Sequence, residues 1–179
     1  MIDIAFHPLF KLDMGPLHYF SVLGRALYTA QHLEMNCKAI VGTVALKEAI
    51  IHDGLSSIND VNFKERMLIL WKKTLGHYMI QLSQRKIIPE NIFPVFESAL
   101  QARNEIAHTI AMSVDEDLDS ECLSRIESIL ILVRKIAEAD KYASAIIHVI
   151  NHNPLPNLEY LEKYEDNIIS WVAEKTFEE

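Results

Sequence analysis

Apolar residues recur every three or four positions along most of this chain, and this spacing is typical of amphipathic α-helices. Breaks rich in Gly, Pro or Asn, such as residues 52–54 and 153–157, separate the apolar stretches. The stretches predict helices over about residues 15–51, 63–84, 89–113 and 119–151. A last helix is predicted from the break at residues 153–157 to about residue 176. No stretch alternates with a period of two for long enough to predict a strand. The pattern therefore predicts an all-α fold, an antiparallel bundle of about five helices.

The size and composition of the chain suit a single hydrophobic core. It has 179 residues, of which half are apolar and 23% are charged, so a packed interior can form over most of its length. We therefore expect one domain over residues 1–179, with a short N-terminal extension at 1–14. Cys37 and Cys122 lie on apolar helical stripes far apart in sequence, and both are expected to be reduced core residues.

The chain shows no features of a secretory signal or a membrane span. Its first residues contain neither a basic stretch nor a long apolar run. The most apolar predicted helix is interrupted by Arg134, Lys135 and several acids, so it does not reach the length of a transmembrane segment. The sequence therefore predicts a cytoplasmic protein without membrane contact.

The charge of the chain disfavours general binding to nucleic acids. The formal net charge is −8 and the isoelectric point is near 5.5, whereas affinity for phosphates comes mostly from Lys and Arg. Any contact with RNA must therefore be a narrow, local one. Basic residues concentrate around the predicted second helix, although such a set is more typical of the solvated face of a helix: Lys64, Arg66, Lys72, Lys73, Arg85 and Lys86.

Sequence motifs for nucleotide, cofactor or metal binding are not found. The chain lacks a glycine-rich phosphate loop, a dinucleotide fingerprint, a hydrolase nucleophile elbow and the helical zinc-protease motif. His148 and His152 come closest to a metal-binding pair, but two histidines near a helix end without a third ligand are more typical of exposed residues. We therefore predict neither a metal nor an organic cofactor.

One short segment does point to a function. Residues 103–108 read Arg-Asn-Glu-Ile-Ala-His, which resembles the Arg-x4–6-His motif of the HEPN domain family, where a polar residue, often Asn, follows the arginine. The resemblance implies a helical domain of this size that forms a homodimer. In the family, the motifs of two protomers face each other and form a composite cleft that cleaves RNA without a metal ion. It thus implies an endoribonuclease, as in toxin or defence systems, with an RNA substrate.

The resemblance implies a role for each residue of the motif. His108 would exchange protons with the 2′-OH or the leaving 5′-oxygen of RNA, because histidine titrates near neutral pH. Arg103 would stabilise the charge that develops on the phosphorane, and Asn104 would position one of these groups. The products would carry a 2′,3′-cyclic phosphate and a 5′-OH.

A second match to the motif, Arg25 with His32, is a rival site. On an ideal α-helix Arg103 and His108 lie about 140° apart, whereas residues seven apart, such as Arg25 and His32, share a face. The later match is preferred because Asn104 follows its arginine, while an apolar residue follows Arg25. A two-fold interface also relaxes the requirement for one face.

The resemblance leaves two alternatives and a regulatory question open. One alternative is a non-catalytic HEPN-like module for RNA binding or dimerisation, and another is an unrelated helical interaction protein. In HEPN toxins controlled by a nucleotidyltransferase antitoxin, a tyrosine two residues beyond the histidine is modified, but here Thr109 and Ile110 follow His108. That mode of control is therefore not predicted, and another antitoxin or regulatory protein stays possible.

Overall fold

A computed structural model describes residues 14–54, 61–110 and 118–174 of the chain. Within these ranges there are six α-helices, one π-helical segment and no strand, which confirms the predicted all-α class. The N-terminal extension predicted for residues 1–14 lies, apart from Met14, outside the described residues. The helices are α1 (Met14–Asp53), α2 (Val61–Trp71), α3 (Leu75–Gln84), α4 (Phe93–Asn104), α5 (Leu118–Ile150) and α6 (Leu158–Ala173), and the π-helical segment (Glu105–Ile110) continues α4.

The two longest helices, α1 and α5, pack along each other and run in the same direction. His32 on α1 lies 3.0 Å from Asp140 on α5, and further along both helices Lys47 donates to the carbonyl of Ile150. Because both residue numbers rise together, the helices are parallel. The antiparallel arrangement expected of the bundle applies to their neighbours instead. Arg134 and Asp140 of α5 contact Asp166 and Tyr164 of α6 in the reverse order, so α6 returns along α5. Lys38 and Gly42 of α1 likewise lie next to Trp71 and Met67 of α2.

The predicted second helix, 63–84, is two helices separated by a turn. Thr74 adopts extended backbone (φ −90°, ψ 165°) as the N-cap of α3, a position that threonine favours. Beyond the turn, the buried Tyr78 donates its hydroxyl to the carbonyl of Leu70 at 2.8 Å, which ties the end of α2 to α3. Trp71, the last residue of α2, lies at the surface with 54% of its area exposed.

Several predicted helix ends agree with the structure. Gly54 follows α1 with a φ of +78°, as expected for a glycine stop, and its amide donates to the carbonyl of Ile50. Asn157 caps α6 by accepting from the amide of Tyr160 at 2.7 Å. The third helix begins later than predicted, at Phe93, because the preceding residues from Pro89 form a turn.

A single cluster of buried side chains joins every helix except α2. Both cysteines are free and buried, as predicted. None of the described helices combines the length and the apolarity needed to cross a membrane. The largest fully buried side chains are Tyr19, Leu33 and Ile40 of α1, Leu75, Tyr78 and Leu82 of α3, Phe96 of α4, Ile106 of the π-helical segment, and Ile129 and Ile136 of α5.

Candidate functional site

Arg103 and Asn104 are the last two residues of α4, and both reach solvent. The guanidinium of Arg103 donates to Oδ1 of Asn104 at 3.2 Å and to Oε2 of Glu34 on α1 at 3.3 Å. About a quarter of each of the Arg103 and Glu34 side chains is exposed (28% and 27%). The motif arginine is therefore held against α1 by a carboxylate, with its neighbouring amide on the same end of α4.

His108 lies in the π-helical segment that begins directly after Asn104, and it is exposed. A π-helix closes its hydrogen bonds over five residues instead of four, so residues five apart lie more nearly above one another than in an α-helix. The change from α to π geometry between Arg103 and His108 therefore reduces the angular separation expected for an ideal α-helix.

The rival arginine, Arg25, is engaged in holding the end of α6. Its guanidinium donates to the carbonyls of Trp171 at 2.8 Å and Glu174 at 2.6 Å and stands 5.7 Å from the centroid of the Trp171 ring. A cation at the carboxyl end of a helix meets unpaired carbonyls and the negative end of the helix dipole. The contacts of Arg25 thus account for this residue as a structural one, separate from a phosphate site.

His32 belongs to a polar cluster that the sequence analysis did not anticipate. At its centre is Asp140, whose side chain is 1% exposed. Oδ2 of this carboxylate lies 3.0 Å from His32 Nδ1 and accepts from the hydroxyl of Tyr164 at 2.5 Å, while Oδ1 accepts from the Asn36 amide at 2.8 Å. Asn36 also donates to Ser144 Oγ at 3.4 Å. We call these five residues the Asp140 network.

The Asp140 network joins α1, α5 and α6 at one level of the bundle. A buried carboxylate is costly unless donors surround it, and here α1 and α6 supply the donors to Asp140. Burial is the larger cause that raises the pKa of the Tyr164 phenol, and the negative charge of Asp140 is the next. The phenol therefore keeps its proton and donates it to Asp140. His32 presents the rest of its ring to solvent, since 45% of its side chain is exposed. The only sequence signals were two pairs with i, i+4 spacing, His32 with Asn36 and Asp140 with Ser144.

The basic residues that the sequence analysis attributed mainly to a solvated helix face occupy the surface of α2 and the turns around α3. Arg85 donates to Glu48 of α1, so its charge is paired. Lys64, Lys72 and Lys73 are exposed. Lys38 of α1 joins this surface, because its ammonium lies 5.5 Å from the centroid of the Trp71 ring.

In the described ranges, no three His, Cys, Asp or Glu side chains lie close enough together to hold a metal ion. His148, one of the two histidines considered for such a site, instead has Nδ1 2.8 Å from the carbonyl of Pro154. In comparisons of sequence and fold, the chain matches no protein-family model, no curated protein and no solved structure.

Proposed function

We propose that this protein is a metal-independent endoribonuclease of the HEPN type, with Arg103, Asn104 and His108 as its site and a homodimer as its active form. The observation that carries the proposal is the π-helical segment that starts between the arginine and the histidine of the motif. It supports the proposal because it brings two residues five apart closer to a common face. The exposure of Asn104 and His108 leaves both accessible to a substrate or to a second protomer.

The reaction needs only groups that the motif contains. RNA supplies the nucleophile, its 2′-OH, which attacks the adjacent phosphorus while the bond to the 5′-oxygen breaks. His108 takes the proton of the 2′-OH or delivers one to the leaving oxygen. Arg103 offers planar N–H donors to the phosphorane oxygens, and Asn104, already bonded to Arg103, orients it. The second protomer would supply the complementary proton donor or acceptor across a two-fold axis.

One structural feature favours the non-catalytic alternative, an RNA-binding or dimerisation module. In the single chain, Glu34 occupies one face of the Arg103 guanidinium, so the arginine must exchange this partner for a phosphate. We hold the cytoplasmic location, the role as a toxin or defence nuclease and the antitoxin partner as parts of the same proposal.

Analysis of the products tests the proposal. The purified protein is incubated with RNA in EDTA, and the ends of the fragments are mapped. We expect a 2′,3′-cyclic phosphate and a 5′-OH, the ends that attack by the 2′-OH produces. Fragments with a 3′-OH and a 5′-phosphate would exclude this mechanism, and a strictly monomeric protein at micromolar concentration would contradict the composite site.

A further inference from the structure

The helix α2 is mostly apolar, yet none of its described side chains is buried. Seven of its eleven residues are apolar, but Leu68, Ile69 and Trp71 are each more than half exposed. On the side of α2 that faces α1, Phe63, Met67 and Leu70 are only partly buried. In a folded protein, a helix with this composition normally covers its apolar face, so α2 presents an incompletely filled surface.

Between α1 and α2 there is an open apolar groove with a volume of about 580 Å³, within the range of sites that bind small molecules or single chemical groups. Its floor is formed by small residues of α1, including Ala39 and Gly42, and its sides by Met35, Met67 and Trp71. A side chain added at Gly42 would meet Met67 at 3.4 Å and Trp71 at 3.8 Å. These are ordinary van der Waals distances, so Met67 and Trp71 already lie close to the backbone of α1 at Gly42.

Three lysines accompany the exposed Trp71, one beside its ring and two next to it in the sequence. The ammonium of Lys38 is 5.5 Å from the ring centroid, and the exposed Lys72 and Lys73 follow Trp71 directly in the chain. These three positive charges stand out on a chain whose net charge is −8. An exposed aromatic ring flanked by cations is the arrangement with which proteins bind single-stranded nucleic acids, stacking a base and contacting its phosphates.

The groove lies about one turn of α1 from the contact that holds Arg103. Lys38 lies four residues after Glu34, so both side chains project from one face of α1, with about 5–6 Å between their Cβ atoms. Glu34 in turn bonds to Arg103 at 3.3 Å. Trp71 and Arg103 thus contact α1 at positions four residues apart, and we infer that one single-stranded RNA segment contacts both.

We propose that this groove binds single-stranded RNA, with one nucleobase stacked on Trp71 and the adjoining phosphates on Lys38, Lys72 and Lys73. The inference rests on the proposed function, because it places the substrate of that site. A second copy of the chain is a poorer occupant, because residues 61–73 carry four basic side chains and one acidic one, and pairing this segment with itself would oppose like charges. An acidic amphipathic helix matches the charge but makes no use of the nearby Arg103.

Fluorescence of Trp71 tests the inference directly, because the chain contains only two tryptophans. Trp171→Phe removes the other tryptophan, and His108→Ala prevents cleavage under the proposed mechanism. In this double variant we expect a short, unstructured single-stranded RNA to quench the fluorescence of Trp71 in a saturable manner. In the His108→Ala background, Trp71→Leu should weaken binding about 5- to 100-fold, and Lys38→Gln should reduce the salt dependence of binding.

Trp171→Leu provides the matched control. Trp171 is also partly exposed beside a cation, Arg25, but lies on α6 and outside the groove, so this change should leave RNA affinity unaltered. RNA binding that neither quenches Trp71 nor weakens in Trp71→Leu would overturn the inference while leaving the nuclease intact. Quenching by RNA without cleavage by the wild type would support the inference and contradict the nuclease. Quenching by an acidic amphipathic peptide, with none by RNA, would overturn it in favour of a protein partner.

Discussion

Glu34 on α1 accepts a hydrogen bond at 3.3 Å from Arg103 at the end of α4, although the two residues are 69 positions apart in the chain. The contact fixes the motif arginine against the longest helix of the bundle. It also puts a negative charge where the proposed mechanism requires the phosphate of RNA. The free protein therefore holds Arg103 in place but partly blocks it.

Replacement of the Glu34 carboxylate should strengthen RNA binding. We expect Glu34→Gln to bind RNA a few-fold more tightly, because the amide no longer repels phosphate, and to change the free energy of unfolding by less than about 1 kcal/mol, since the ion pair is partly exposed. Binding is measured by fluorescence anisotropy and stability by urea unfolding. Glu97→Gln, a change at an exposed residue of α4, is the control. Weaker binding in Glu34→Gln would mean that the carboxylate positions Arg103 and does not compete with phosphate.

We expect Arg25 to stabilise the fold and to take no part in RNA cleavage. Arg25→Met removes two hydrogen bonds to the carbonyls at the end of α6 and the contact with Trp171, and we expect a loss of about 1–3 kcal/mol in the free energy of unfolding. Arg134→Met is the matched control on α5, because Arg134 makes an exposed ion pair with Asp166 that is worth less than about 1 kcal/mol. RNA cleavage per folded molecule should be unchanged in both variants. Loss of cleavage by stable, folded Arg25→Met would instead favour the Arg25/His32 site.

Within the Asp140 network, we expect the hydroxyl of Tyr164 to stabilise the folded protein. Tyr164→Phe leaves the carboxylate of Asp140 without its 2.5 Å donor, and at neutral pH we expect a loss of about 1–3 kcal/mol in the free energy of unfolding. Tyr160→Phe, at an exposed neighbour in the same helix, should have little effect. Urea unfolding of the three proteins provides the comparison, and equal stabilities would show that the network contributes nothing.

Ionisation of the same hydroxyl should lower the stability of the folded protein at alkaline pH. Because burial and Asp140 raise the pKa of Tyr164 in the folded state, its contribution is complete below the pKa of an unfolded tyrosine, near 10, and is lost as pH rises above that value. Wild-type stability should therefore fall more steeply than that of Tyr164→Phe as the pH rises above about 10. Burial also raises the pKa of Tyr19 and Tyr78, so some alkaline loss should persist in the variant. Parallel pH profiles would contradict this role.

The parts of the fold that the sequence predicted well are those with a long, regular apolar period. The predicted ranges 15–51 and 119–151 agree closely with α1 (Met14–Asp53) and α5 (Leu118–Ile150), because many residues contribute to each pattern. The break after Trp71 was not predicted, since lysines and a threonine are compatible with a helix. It results from tertiary packing, which buries Tyr78 on α3 and leaves α2 at the surface.

The candidate site could be predicted only as far as its local residues. The motif at Arg103 and His108 is visible in the sequence, whereas the partner Glu34 and the π-helical geometry depend on how distant helices pack. The Asp140 network was missed for the same reason. Its residues on α1 and α5 are more than 100 positions apart, and periodicity along one helix carries no information on which polar residues meet across two.

RNA cleavage in EDTA by the wild type, His108→Ala and Arg103→Ala tests the central claim most directly. Each variant is compared at matched purity and folded fraction, with His32→Ala as the control histidine on the Asp140 network. We expect both motif changes to lower the cleavage rate by about 100-fold or more, and His32→Ala to retain activity. Wild-type activity no greater than that of the motif variants, or cleavage lost only in His32→Ala, would contradict the assignment of Arg103, Asn104 and His108.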